Sequence, residues 1–65
     1  MQIQLNGKPF DATSPSLANL IEQLELAGKR YAVEVNEELV PRAEHATHQL
    51  SAGDRVEIVQ AIGGG

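Results

Sequence analysis

One segment with helical periodicity lies between two groups of alternating segments, and this arrangement constrains the fold more than any other feature. Leu17, Leu20, Ile21 and Leu24 recur at i, i+3, i+4 and i+7, which places them in one apolar stripe on a helix. The flanking segments alternate apolar and polar residues as strands do. In a chain of 65 residues, a lone helix must cover one face of one sheet, because nothing else can bury that face.

Polar and glycine residues predict the ends of this helix. Ser14-Pro15-Ser16 is typical of a helix start, with Ser14 or Ser16 as the N-cap. Gly28 is placed to end the helix in a left-handed conformation, with Lys29 and Arg30 near the negative end of the helix dipole.

A β-hairpin is predicted at the N-terminus. Met1, Ile3 and Leu5 alternate with glutamines, and Asn6-Gly7 follows, a pair that tolerates the positive φ angles of a type I′ turn. Residues 8–13 then return as a second strand. Pro9 lacks a backbone donor, so we expect that strand at a sheet edge.

Three further extended segments follow the helix. Residues 31–35 predict a third strand and residues 39–41 a short extended piece, whereas residues 42–51 predict an irregular connection with one helical turn. Residues 55–62 predict a last strand that runs directly into Gly63-Gly64-Gly65.

This order predicts the α+β class and the β-grasp, or ubiquitin-like, fold: a mixed sheet of four to five strands with one main helix on one face. We expect residues 1–62 to form the domain and residues 63–65 a flexible glycine tail. The second face of the sheet is then open to solvent or to a partner.

Composition excludes several classes of function. Five Lys and Arg against nine Asp and Glu give a net charge of −4 without a basic stripe, which argues against nucleic acid. The acidic surface suits a basic docking face on a partner or serves solubility alone. No apolar run approaches the roughly 20 residues that span a bilayer, and no signal peptide is visible, so we expect a cytoplasmic protein.

The usual catalytic and metal-binding arrangements are missing from the sequence. There is no cysteine, and His45 and His48 lack a third ligand, so both are interpreted as surface histidines and no metal site is predicted. Glu37-Glu38 is interpreted as a solvated turn. We therefore expect a protein that partner enzymes act on and not an enzyme.

The C-terminal glycines remain as the candidate for chemistry. Gly63 and Gly64 would make a thin thread able to enter a narrow channel where any Cβ would obstruct passage, and Gly65 would present its main-chain carboxylate there. The alternative is a disordered end or an expression remnant. Attachment to the last strand of a β-grasp domain favours the functional interpretation.

The last strand also suggests a docking surface. Val56 and Ile58 share one face, and Glu57, Val59 and Ala61 share the other. If the first pair faces the helix, an apolar patch lies on the open face beside the tail. The alternative is that valine is simply a good strand former.

The whole chain resembles the ThiS family of sulfur carriers in thiamine thiazole biosynthesis. The matching pieces, in order, are Met1-Gln2-Ile3, Asn6-Gly7, the predicted helix, Val35-Asn36, Val40-Pro41-Arg42, Gly53-Asp54 with Val56, and Gln60-Ala61-Ile62-Gly63-Gly64-Gly65. Each piece is short, and their order and spacing carry the resemblance. Arg42 and Ile62 therefore join Glu57, Val59 and Ala61 as expected partner-binding residues.

The resemblance implies a mechanism and a set of partners. An E1-like adenylyltransferase, which holds ATP and Mg²⁺, adenylates the Gly65 carboxylate. A persulfide sulfur donor converts it to a thiocarboxylate, and thiazole synthase receives the sulfur. The chain itself binds no cofactor and is expected to be a monomer when free.

Four other functions remain open from the sequence. The small subunit of molybdopterin synthase is a related β-grasp carrier, although Val40-Pro41-Arg42 fits the thiamine carrier better. A ubiquitin-like modifier would join Gly65 to target lysines. An inert interaction module would function without Gly65. An independent enzyme lacks a nucleophile, a metal site and pocket volume.

Overall fold

The structure is a computed structural model that describes residues 1–60. In chain order its elements are β1 (Gln2–Leu5), β2 (Lys8–Asp11), α1 (Leu17–Gln23), β3 (Tyr31–Val35), β4 (Glu38–Val40), a 3₁₀ helix (Arg42–Glu44) and β5 (Arg55–Gln60). The five strands form one sheet in the order β2-β1-β5-β3-β4, which confirms the predicted sheet with one main helix. Among the described residues, no helix has the length and apolar character needed to cross a membrane.

The sheet is mixed because β1 and β5 are parallel, whereas the other neighbours are antiparallel. The hairpin between β1 and β2 turns at Asn6 and Gly7, whose φ angles of 50° and 82° are both positive as the sequence predicts. Pro9 lies in β2, an edge strand, where its missing donor interrupts no ladder inside the sheet.

The core forms between the helical stripe and one face of the sheet. Leu17 and Leu20 are 0% exposed, as are Val33 and Val56 on the two central strands β3 and β5. The helix begins at Ser16, whose side chain accepts a hydrogen bond from the Asn19 N–H at 3.3 Å. Of the two predicted N-caps, Ser16 is therefore the one used.

The predicted helix end at Gly28 is wrong. Helix α1 ends at Gln23, and Glu25, with φ 59°, takes the left-handed position. The Glu25 N–H donates to the Glu22 carbonyl at 3.0 Å, and the Leu26 N–H donates to the Ile21 carbonyl at 3.1 Å, the two bonds of a Schellman motif.

Burial of Leu26 explains this early end. Leu26 is buried in the core, and turning the chain at Glu25 brings it there. Gly28 has positive φ in the turn that follows. Consequently Lys29 and Arg30 are several residues beyond the helix and do not act on its last turn.

The connection between the 3₁₀ helix and β5 contributes to the core. The single helical turn predicted there is confirmed as Arg42–Glu44. Leu50 is buried, its N–H donates to the Pro15 carbonyl at 2.7 Å, and Gln49 forms a bridge with Ser16. The chain thus closes over the N-terminus of α1, which the sequence pattern did not indicate.

Glu25→Gly should stabilise the fold by about 1 kcal/mol, because glycine adopts a positive φ without the Cβ penalty that Glu25 carries. Urea unfolding of both proteins measures the difference. The matched control is Ala27→Gly, two residues later and also exposed, which should lower stability. Equal effects of the two substitutions would contradict the assignment of Glu25 to the left-handed position.

Candidate functional site

Strand β5 carries the chain toward the predicted glycine tail from the centre of the sheet. It lies between β1 and β3, and its last residue, Gln60, is opposite Tyr31. We call Ile58, Val59 and Gln60 the tail root. The predicted site residues Ala61, Ile62, Gly63, Gly64 and Gly65 lie outside the described residues.

Asn6 fastens the tail root after the pairing of β1 and β5 has ended. That pairing stops at Leu5 opposite Val56, and the Asn6 N–H then donates to the Val56 carbonyl at 2.9 Å. Its side chain accepts from the Ile58 N–H at 2.9 Å and donates to the Ile58 carbonyl at 3.3 Å. The Asn6 side chain therefore replaces the next residue of a strand and extends the support of β5 to Ile58.

A shallow groove lies beside the tail root on the helix side of the sheet. It is lined by Leu5, Asn6, Leu24, Leu26, Ile58 and Gln60 and encloses about 200 Å³. Sites that bury a small-molecule substrate are usually about 300–1,000 Å³. The groove is thus too small to enclose a typical substrate.

The other side of the sheet carries exposed apolar residues on β3, β4 and β5, and one of them, Val59, belongs to the tail root. Val59 is 66% exposed and Leu39 is 65% exposed, and they are the exposed large hydrophobic side chains of residues 1–60. Ala32 is directly opposite Val59 and is also exposed. We call Ala32, Leu39 and Val59 the open-face patch.

The face assignments made for β5 agree with the burial of its side chains. Val56 is buried and Ile58 is half-buried, whereas Glu57 and Val59 are exposed. Val59 is thus surface-accessible, as the docking prediction requires.

Two carboxylates face each other next to the open-face patch. Glu57 of β5 is directly opposite Glu34 of β3, and Glu34 is in turn opposite Leu39 of β4. Like charges in directly opposed positions destabilise a sheet. We therefore expect this pair to reduce stability in the middle of the sheet, on the face that the helix leaves uncovered.

Arg42 lies in an aromatic stack on the opposite face of the sheet. Its guanidinium carbon is 4.6 Å from the centre of the Tyr31 ring, close enough for a cation–π contact. The Tyr31 ring is in turn stacked on His45, with ring centres 5.8 Å apart and planes inclined by 22°. Since Tyr31 is opposite Gln60, the stack places Arg42 next to the tail root.

The interpretation of His45 as a surface residue is wrong. His45 is buried, with only 7% of its surface exposed, and its Nε2 lies 2.9 Å from the Val40 carbonyl oxygen. A carbonyl only accepts, so Nε2 carries the proton in this contact. Nδ1 is buried without a hydrogen-bond partner in the described chain. His45 supports Tyr31 from beneath, a role invisible in a polar sequence segment.

The other residues considered for catalysis do not converge. Among residues 1–60, no three His, Asp or Glu side chains are grouped so that they could hold a metal ion. Glu37 and Glu38 are both exposed, but the prediction of a turn is wrong for Glu38, which pairs with Val35 as the first residue of β4. His48 is half-buried. Within the described residues, the tail root and the surfaces around it are therefore the candidate functional site.

Removing one charge of the carboxylate pair should stabilise the domain. Glu57→Gln should raise the free energy of unfolding by about 0.2–1 kcal/mol, because it relieves the repulsion from Glu34. Urea unfolding at low salt measures the gain, which should shrink in high salt.

The control is a double-mutant cycle with Glu34→Gln. Either single substitution should relieve the same repulsion, so the double variant should gain less than the sum of the two. Strictly additive gains, or a loss of stability, would contradict the proposed repulsion.

Comparison with known proteins gives matches along the full chain. Residues 3–65 match the model of the ThiS family. The sulfur carrier protein ThiS of Escherichia coli is 33% identical over 66 residues, covering 100% of both chains. A thiazole synthase of Magnetococcus marinus is 38% identical over 66 residues, which are 100% of this chain but 20% of that protein.

A solved structure agrees with the architecture. The crystal structure of the thiamine biosynthesis protein ThiS from Geobacter metallireducens matches with a TM-score of 0.82 and 30% identity, covering 100% of both chains. This match, together with the five-stranded mixed sheet and its single helix, confirms the β-grasp fold. The chain belongs to the ThiS family.

Proposed function

We propose that this chain is a sulfur carrier of thiamine biosynthesis and that the main-chain carboxylate of Gly65 carries the sulfur. The family match over residues 3–65 is the observation that most supports the proposal. The absence of cysteine from the sequence adds to it, because the sulfur must then be held by a group other than a thiol of this chain.

Activation of the carboxylate is the first proposed step. A carboxylate is a poor electrophile, because its leaving group would be oxide. An E1-like adenylyltransferase that holds ATP and Mg²⁺ solves this problem: the Gly65 carboxylate attacks the α-phosphate, and pyrophosphate leaves. The product is an acyl-adenylate with AMP as a good leaving group.

Sulfur transfer is the second proposed step. The terminal sulfur of a protein persulfide attacks the Gly65 carbonyl carbon and expels AMP, which forms an acyl disulfide. A second thiol then breaks the S–S bond and leaves a thiocarboxylate at Gly65 and a disulfide on the donor. Since this chain has no cysteine, both sulfur atoms and the second thiol come from partners.

Thiazole synthase is the proposed acceptor of the sulfur. In Magnetococcus marinus, a segment similar to this chain is part of a protein named thiazole synthase. A carrier domain joined to its acceptor raises the local concentration of one for the other. This relationship favours thiazole formation over a molybdopterin synthase subunit or a ubiquitin-like modifier. We further propose that the carrier works in the cytoplasm as a monomer.

Docking is proposed on the open face of the sheet. Val59 of the tail root and Leu39 of β4 offer exposed apolar area on this face, and Glu57 adds negative charge to it. The repulsion between Glu34 and Glu57 lowers stability, and a basic group on a partner would relieve it. Ala61 and Ile62, which follow the tail root in sequence, are proposed to extend this contact.

Val59→Asp should weaken binding to the adenylating enzyme by tenfold or more while leaving the domain folded, because it places a charge in the apolar contact. Titration calorimetry measures the affinity, and amide NMR spectra confirm the fold. Ala52→Asp, which adds the same charge in an exposed turn before β5, is the control and should bind like the wild type. Unfolding by Val59→Asp, or equal effects of the two variants, would contradict the docking surface.

The role of Gly65 can be tested by moving the carboxylate. Adding one alanine after Gly65 should abolish sulfur delivery in a reaction with the adenylating enzyme, a persulfide donor and thiazole synthase. The reacting residue would then carry a methyl side chain, which should obstruct its entry into the narrow channel of a partner enzyme. Formation of the thiazole product is the measurement.

Adding one alanine before Met1 is the matched control, because it lengthens the chain equally and should leave delivery intact. Undiminished product from the C-terminal extension would contradict the assignment of sulfur transport to Gly65. Attachment of the chain to whole target proteins would instead favour the modifier function.

A further inference from the structure

The basic residues of this acidic chain are concentrated at one end of the sheet. Lys29 and Arg30 immediately precede β3, whose first residue, Tyr31, is opposite Gln60. Arg42 lies over the Tyr31 ring. Three of the five Lys and Arg residues in the chain therefore lie on, or directly precede, the segments that border Gln60 of the tail root, and we call Lys29, Arg30 and Arg42 the cationic collar.

Arg42 contacts Tyr31 through its guanidinium group, whose carbon lies 4.6 Å from the centre of the Tyr31 ring. Tyr31 is in turn stacked on the buried ring of His45. We expect this contact to restrict the motion of the guanidinium, which carries five N–H donors in a planar fork. A guanidinium held in this way loses less freedom on binding a carboxylate in a bidentate manner.

Arg42 has no carboxylate partner within the described part of the chain. Among residues 1–60 its guanidinium contacts the Tyr31 ring but forms no ion pair. Arg42 is an exposed residue in a protein whose net charge is −4. An acidic group supplied from outside would complement it.

The collar and the carboxylate pair give the domain two surfaces of opposite sign. Glu34 and Glu57 lie on the open face, whereas the collar lies at the end of the sheet that leads into the tail. Charged surfaces that complement each other steer an encounter and set its orientation. A partner with basic groups for the open face and acidic groups at its channel entrance would receive the tail in one orientation.

We propose that the cationic collar binds acidic side chains around the channel entrance of the thiazole synthase that receives the tail. This inference rests on the proposed function, and it adds the charge of the partner surface and the residues that contact it. Lys29 and Arg30 contribute attraction at longer range, whereas Arg42 forms the direct contact. Tyr31 and His45 act as positioning residues for Arg42.

The test compares the affinities of purified thiazole synthase for the intact chain and its variants, at low and high salt. Arg42→Gln should weaken binding about tenfold at low salt, and the difference should shrink at high salt. The matched control is Arg55→Gln, which removes the same charge from the far end of β5 and should change affinity less than twofold.

Two more variants keep the test decisive. Arg42→Lys should have an intermediate effect, because it keeps the charge but loses the planar fork. Lys29→Gln changes no residue of the stack and should also weaken binding. It therefore tests the collar even if Arg42→Gln perturbs the fold. Equal affinities of the Arg42→Gln and Arg55→Gln variants, with Lys29→Gln like the wild type, would overturn the collar.

Separate measurements distinguish this inference from the proposed function. A wild-type chain that is loaded with sulfur and binds thiazole synthase, but whose Arg42→Gln variant binds equally well, contradicts the collar alone. A wild-type chain that is neither loaded nor bound contradicts both. ATP titrated into the chain alone should leave the NMR signals of Arg42 unchanged. A saturable shift there would make a nucleotide phosphate the occupant and overturn the acidic partner surface.

Discussion

Burial of the helical stripe against the two central strands is the interaction on which the rest of the structure depends. Leu17 and Leu20 meet Val33 and Val56 in a core whose members have essentially no exposure. With 65 residues and one helix, only one face of the sheet can be covered in this way. The exposed face that carries Val59 follows directly from this shortage of covering structure.

The position of β5 links this core to the proposed chemistry. The strand is anchored on one side by β3 and on the other first by β1 and then by the side chain of Asn6. The described residues therefore support β5 on both sides as far as Ile58 and on the β3 side as far as Gln60, and the proposed reactive group lies in the five residues that follow. Such a division suits a carrier, because the partner needs a rigid surface to bind and a thin segment to admit.

Two features of the described residues are expected to lower folding stability. A directly opposed pair of glutamates is unfavourable for a sheet that has no need of it. On the other side of the molecule, a buried histidine is placed beneath an aromatic ring, with one ring nitrogen unpaired, and this arrangement fixes an exposed arginine. Both features are expected to be unfavourable for folding alone, and both lie beside β5.

Local patterns in the sequence were sufficient for most of the fold. The alternation of residues 1–5, the Asn6-Gly7 turn and the helical stripe each reflect a preference that the final structure satisfies. The predictions that were wrong concern positions whose structure is determined by contacts with residues distant in sequence. Burial of Leu26 ended the helix before Gly28, and stacking on Tyr31 buried His45 although its neighbours in sequence are exposed.

The candidate site shows the same difference between residues predicted from local patterns and residues placed by distant contacts. Exposure of Glu57 and Val59 followed from strand periodicity, since each residue alternates with an inward-facing one. The opposition of Glu34 and Glu57 required the register between β3 and β5, and the place of Arg42 required the fold of the connection after β4. No periodicity within a single segment contains that information.

Sulfur is proposed to travel on the carboxylate of Gly65. Intact-protein mass spectrometry of the wild-type chain tests this proposal, after incubation with ATP, the adenylating enzyme and a persulfide donor. We expect a mass increase equal to the replacement of one oxygen by sulfur, located at Gly65 by fragmentation and absent without ATP. An unchanged mass with enzymes shown to load another ThiS protein, or sulfur located at any other residue, would contradict it.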